Sequence, residues 1–203
     1  MQYPDFYDKV EPIKLYDPLS DFLGAFKEGE VEVTYLDCVK LAGHSCPTVA
    51  GTYLLAMQGL TALYGDELPH RSSIKVEMKE DEDSEVTGVT AAILSFILGA
   101  NGVGGFKGIQ GQFSRNDLLF YGADIPLELR FTRLDTMQCI DLCYDPSYIK
   151  ADEKMKPLMG KSLQVLASSE EKMMFQKLWQ SRVEEILLNK KNHYKLITLK
   201  SKA

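Results

Sequence analysis

The sequence predicts an α+β fold: a mixed or antiparallel sheet packed with helices, followed by a C-terminal helical hairpin. Three patterns carry that prediction. Ile74, Val76 and Met78 alternate with Ser73, Lys75 and Glu77, and Leu127, Leu129 and Phe131 alternate with Glu128, Arg130 and Thr132, which is the period of a half-buried strand. Residues 47–64 and 87–98 are apolar on nearly all sides, as interior helices are. Beyond Ala151 the alternation stops, and residues 155–166 and 170–188 take on helical character. The implied organisation is a core over residues 1–150 and a helical extension over 151–203.

In chain order, Leu19, Phe22, Leu23 and Phe26 recur at helical spacing after Asp17-Pro18, predicting a short amphipathic helix packed on the core. An apolar piece at 31–36 leads to Asp37, a candidate N-cap for a helical turn that Gly43 stops. Pro47 suits the first position of a helix, because its missing N–H would lack a partner there anyway. That helix runs through Leu54, Leu55, Leu60 and Leu63 to Gly65. A strand at 73–78, an acidic loop at 79–85 and the interior helix at 87–98 follow. Residues 99–111 hold six glycines and read as a tightly turned loop. Two or three strands occupy 118–144, ended by Asp145-Pro146. Ser168 and Glu171 form the capping-box start of the last long helix. Residues 193–202 close the chain as an edge strand or a frayed tail.

Of the 203 residues, 45% are hydrophobic and 26% charged, which excludes a disordered chain. Asp and Glu outnumber Lys and Arg by 29 to 23, a balance that opposes binding to a phosphate backbone, so no nucleic-acid partner is expected. The least charged stretch, 86–106, is broken by glycines and polar residues and does not read as a membrane span. The opening Met1-Gln2-Tyr3-Pro4-Asp5 lacks the basic start and apolar run of a secretion signal, so a cytoplasmic location is expected. Four cysteines are too few for a disulfide scaffold. In a reducing compartment each is a core thiol, a reactive thiol or a metal ligand.

The segment Gly43-His44-Ser45-Cys46-Pro47 is the most informative. With Pro47 first in its helix, Cys46 takes the N-cap, where the helix end favours a thiolate. His44 stands two residues away. Three readings fit the pair. It is half of a zinc or other divalent transition-metal site, a reactive thiol acting as an activated nucleophile with its base or as a redox thiol, or a core Cys beside a backbone-bonded His. Cys139 and Cys143 share a face of one predicted strand but stand about 13 Å apart, too far for one metal or one disulfide. Cys38 approaches Cys46 only if Gly43 folds the chain back. His70 and His193 read as solvated. The glycine-rich segment from Gly99 to Gly108 could wrap an anion with backbone N–H groups and Lys107, although it lacks the Lys-Ser/Thr of a P-loop.

Gly43-His44-Ser45-Cys46-Pro47 opening an apolar helix resembles the G-H-x-C-P-G start of the FmdE family of formylmethanofuran dehydrogenase components. The similarity extends over roughly residues 35–135. Leu63-Tyr64-Gly65 ends the helix, Thr87-Gly88-Val89-Thr90-Ala91-Ala92 looks like the family's C-G-V-D-A helix start, and Gly99 to Lys107-Gly108 is similar to its G-x-T-x-G-K-G-N loop. The resemblance implies an α+β protein that binds metal and pairs as a homodimer; the thiol, imidazole and hydroxyl groups themselves suit a small polar ligand or substrate. It carries His44 and Cys46 over as metal ligands or catalytic groups. Thr87 and Thr90 stand where the family has Cys and Asp, and no cysteine follows Cys143 to build a C-terminal zinc finger. Lys107, Thr87, Thr90 and Asn101 are the expected substrate-binding residues. The expected function is an FmdE-like metal or small-molecule site. The alternatives are a binding or accessory protein with a degenerate metal site and a thiol redox protein using Cys46.

Overall fold

The computed structural model describes residues 2–202. It is α+β, with seven α-helices, two sheets and several single 3-10 turns among the described residues. The N-terminal strands β1 (Ile13–Tyr16) and β2 (Glu30–Val33) pair antiparallel, and helix α1 (Pro18–Leu23) lies between them in sequence. Helices α2 (Tyr35–Ala42) and α3 (Pro47–Tyr64) follow, then β3 (Ile74–Met78) and α4 (Thr87–Leu98). Three more strands come next: β4 (Leu119–Phe120), β5 (Leu129–Arg133) and β6 (Cys139–Tyr144). The chain ends with α5 (Met155–Leu163), α6 (Ser169–Leu188), α7 (His193–Leu196) and β7 (Ile197–Lys202).

The main sheet has the order β4-β3-β5-β6-β7. Only the β3–β4 pair is parallel; β3–β5, β5–β6 and β6–β7 are antiparallel. The predicted alternation is the physical one: Ile74, Val76 and Met78 are buried while Lys75 and Glu77 are half-buried. In the antiparallel β3–β5 pair, Val76 stands opposite Phe131.

Helix α3 is the central element. Twelve of its residues are buried, from Val49 to Tyr64, and it packs on α4, α6 and strand β6. Close approach to the sheet needs small residues. A Cβ on Gly59 would lie 2.6 Å from the Phe131 ring, and one on Gly51 would lie 2.2 Å from the Tyr144 ring. Helix α4 is likewise interior, with Thr90, Ala91, Ile93, Leu94, Ile97 and Leu98 buried. The C-terminal hairpin forms as expected: α5 packs on α6, and Ser168 and Glu171 make a reciprocal capping box. The end of the chain is a strand, β7, with Leu199 opposite Leu142. Among the described residues, no helix is long and apolar enough to cross a membrane.

Two local expectations are corrected. The helix begun by Pro18 stops at Leu23 because Gly24 takes a left-handed conformation (φ 66°), and Ser20 is its buried residue. Phe22 and Leu23 are 63% and 61% exposed, and Phe22 stacks on Phe113, just beyond the glycine-rich loop, instead of entering the core. Thr34, not Asp37, is the N-cap of α2. Its hydroxyl accepts from the Asp37 amide at 3.2 Å, while Asp37 reaches back to the Thr34 amide at 3.0 Å. Asp37 is therefore the third residue of a capping box, a role its sequence context fits equally well.

Candidate functional site

The Gly43–Pro47 loop joins the end of α2 to the start of α3, and each residue has a distinct setting. Gly43 has φ 73°, the left-handed geometry that ends α2. Pro47 is the first residue of α3 and Cys46 its N-cap, with extended backbone and no side-chain cap bond. Cys46 is half-buried against the core. His44 is exposed, and its Nδ1 lies 2.9 Å from the Ala42 carbonyl oxygen. A carbonyl only accepts, so it is Nδ1–H that donates in this bond, and Nε2 faces away from it.

Ser45 is the residue that sequence reasoning passed over. It is buried, its hydroxyl shares a 2.9 Å hydrogen bond with Tyr35 Oη, and its carbonyl oxygen accepts from Trp179 Nε1 at 2.8 Å. The loop is thus held from one side by α2 and from another by α6. His44 and Ser45 line an apolar cleft of about 540 Å³ with Tyr7, Phe175 and Trp179, whereas Cys46 packs against the core.

A second cleft, of about 730 Å³, opens between α3, α4 and the sheet. Thr48, Thr52, Thr87 and Thr90 line it over an apolar floor of Leu55, Met78 and Leu129. Thr52 Oγ1 donates to the Thr48 carbonyl at 2.9 Å and lies 3.3 Å from Thr90 Oγ1, bridging the two helices. Glu80, Glu85 and Glu128 stand at its exposed margin. Glu128 is fixed there by accepting from the Tyr144 amide at 2.8 Å. The Tyr144 ring covers Gly51 and forms part of the same wall, and its buried hydroxyl has no protein partner among the described residues. Burial drives the Tyr144 pKa upward, so the phenol stays neutral.

The glycine-rich segment bounds a third hollow, of about 980 Å³. Asn101 lines it and pins the loop, its carbonyl accepting from the amides of Leu118 (2.9 Å) and Leu119 (3.2 Å). Lys107 is exposed elsewhere on the loop, and the cations in the hollow's wall are Arg71 and Arg115. Both pair with Asp17, which is fully buried, at 3.2 and 2.7 Å. Burial by itself would raise the Asp17 pKa. The Ser20 amide and the charges of Arg115 and Arg71 outweigh it and hold the carboxyl below its ordinary value. These residues are 54 and 98 positions from Asp17, so nothing in local sequence announced the triad.

The structure therefore brings Thr87 and Thr90 into one cleft, Asn101 into another, and His44 into a third. The zinc that the resemblance implies needs converging donors. Among the described residues, no group of three or more His, Cys, Asp and Glu side chains converges as a metal site. His44 and Cys46 alone do not make a closed zinc site, which takes four ligands. Compared with known proteins, the chain matches no family model, and no curated protein matches it significantly.

Proposed function

We propose that this protein is an FmdE-like binding or accessory protein that holds a small polar ligand in the threonine-lined cleft between α3 and α4. The observation that carries this reading is the cleft itself. It is about 730 Å³, within the range of small-molecule sites at roughly 300–1,000 Å³. Its apolar floor and few hydroxyls match the usual division between burial and orientation. Three glutamates at the margin, with no Lys or Arg among the lining residues, favour a ligand carrying an ammonium or another donor-rich group. Thr87 and Thr90 supply neutral hydroxyls in this cleft, so hydrogen bonding takes the place of the thiolate and carboxylate found in the family's motif.

Threonine-methyl-labelled protein titrated with ethanolamine, agmatine and myo-inositol tests the reading. The ammonium compounds are expected to move the Thr48, Thr87 and Thr90 methyl signals saturably, and Thr90→Leu to abolish the effect. No movement of these three methyls with any of the probes would overturn it.

A second reading is supported by the His44 hydrogen bond to the backbone. A ligating histidine commonly donates its other ring N–H to a backbone carbonyl, as Nδ1 does to Ala42. Under this reading His44 and Cys46 hold a divalent transition metal, zinc first among them, with further donors from a second copy in a homodimer. A reducing, cytoplasmic setting would keep Cys46 as a thiol. Near-stoichiometric metal in protein purified without chelator, lost in both His44→Ala and Cys46→Ser, is its expected signature. Metal-free protein would sink it.

A further inference from the structure

We propose that the hollow bounded by the glycine-rich loop is an oxyanion site, in which Arg115, backed by Arg71, binds the phosphate or carboxylate head of a small molecule. The inference is independent of the threonine cleft, which lies among different residues and presents carboxylates. It rests on an imbalance in how the two arginines are used. Arg71 is fully engaged: Nη1 on Asp17 at 3.2 Å, Nε on the Ile97 carbonyl at 3.1 Å, and Nη2 on the Phe96 carbonyl. Those two carbonyls belong to the last turn of α4, so Arg71 is a fixed structural cation. Arg115 is not. Its Nη2 reaches both Asp17 oxygens at 2.7 Å, while its Nε is buried with no protein acceptor, and among the described residues no acceptor meets its Nη1.

Two guanidinium groups against one carboxylate leave a net positive charge in a half-buried wall. Side-chain exposure there is 15% for Arg71, 18% for Arg115 and 0% for Asp17. The Nε is closed off even from water, so the donor left for a ligand is Nη1, and the usual partner of an unpaired charged donor in a cavity is water or an ion. Guanidinium is the side chain best matched to planar or tetrahedral oxyanions. The loop adds backbone donors. The Gly105 amide closes a turn on the Gly102 carbonyl at 3.0 Å, and the intervening Val103 and Gly104 amides meet no backbone acceptor among the described residues. Glycine is required at this approach, since a Cβ on Gly105 would lie 2.5 Å from the Arg115 carbonyl oxygen.

The remaining wall describes the rest of the ligand. Leu41, Phe96 and Phe120 are apolar, and Tyr121 stands beside Glu82, to which its hydroxyl donates at 3.4 Å. Glu82 repels an anion from that side and so directs the charged head towards Arg115. The hollow thus fits a molecule with an oxyanion at one end and an apolar body, a phosphate ester or an organic carboxylate.

Arginine Nε–Hε spectra of the protein read the site, with phenyl phosphate, inorganic phosphate and benzoate as probes and chloride at matched ionic strength as control. Saturable movement of the Arg115 signal by phenyl phosphate is expected, at least about threefold tighter than by inorganic phosphate because the ring is buried. Benzoate binding as tightly as phenyl phosphate would identify a carboxylate site, and benzoate silent would identify a phosphate site. Ala92→Trp fills the hollow from an exposed position on α4 and leaves Asp17, Arg71 and Arg115 themselves unaltered. It is expected to keep its melting temperature and lose the response. The proposal is overturned by no saturable shift up to about 10 mM of any probe, by an equal response to chloride, or by a response that survives in folded Ala92→Trp.

Discussion

Trp179 Nε1 donates to the carbonyl oxygen of Ser45 at 2.8 Å across 134 positions of sequence. It is the only tryptophan in the chain, and it ties α6 to the loop that carries His44 and Cys46. Trp179→Phe removes this bond and keeps most of the ring. A loss of about 1 kcal/mol is expected in urea denaturation, with faster amide exchange in residues 43–46.

Ser45 and Tyr35 share one buried hydrogen bond. Ser45→Ala strands the Tyr35 hydroxyl and should cost about 1–3 kcal/mol. Tyr35→Phe strands the smaller Ser45 hydroxyl instead. The double variant should lose less than the sum of the two, because neither polar group is then left alone. Additive losses would mean the two hydroxyls act independently.

The 2.2 Å clash between a Cβ on Gly51 and the Tyr144 ring makes Gly51→Ala a test of the cleft wall. Overpacking should destabilise the protein by about 1–3 kcal/mol and push Tyr144 towards the threonines. Adding Tyr144→Leu should restore part of the loss, read as recovery of the melting temperature.

Acid stability should report Asp17. Its carboxyl is held below 3.8 in the folded protein, so the unfolded chain takes up the proton first as pH falls. The stability this supplies is complete above 3.8 and is lost as pH falls from there through the folded pKa. Asp17→Asn leaves two arginines uncompensated and should cost about 3–5 kcal/mol near neutral pH. Its stability should also fall less steeply below 3.8, as measured by denaturation at stepped pH.

Burial pushes the Cys38 thiol up to about 12, with the Asp37 charge adding to it, and Cys38 is 0% exposed. Iodoacetamide near pH 8 should therefore leave Cys38 unmodified until the protein unfolds, since the thiolate is the nucleophile. Peptide mapping of the alkylated sites checks this. Modification of Cys38 at the rate of the half-buried cysteines would overturn it.

Periodicity and helix-end chemistry determined much of this protein. The alternation at Ile74–Met78, the all-round apolarity of 87–98, Pro47 at its helix start and the Ser168/Glu171 capping box each specify a local conformation. Each works because the relevant physics lies within a few residues: side-chain direction, backbone dihedrals and the unpaired amides of a helix end. The motif residues were equally legible as residue types, His44, Cys46, Thr87, Thr90, Asn101 and Lys107 among them. Which of them share a cleft was not. That Thr52 of α3 reaches Thr90 of α4, that His44 lines the cleft beside α6 while Cys46 packs on the core, and that Phe22 lies on Phe113 depend on how elements pack. The Asp17–Arg71–Arg115 triad depends on it most. A buried charge must find its partners wherever the chain crosses in space, and tertiary packing alone decided where those crossings fall.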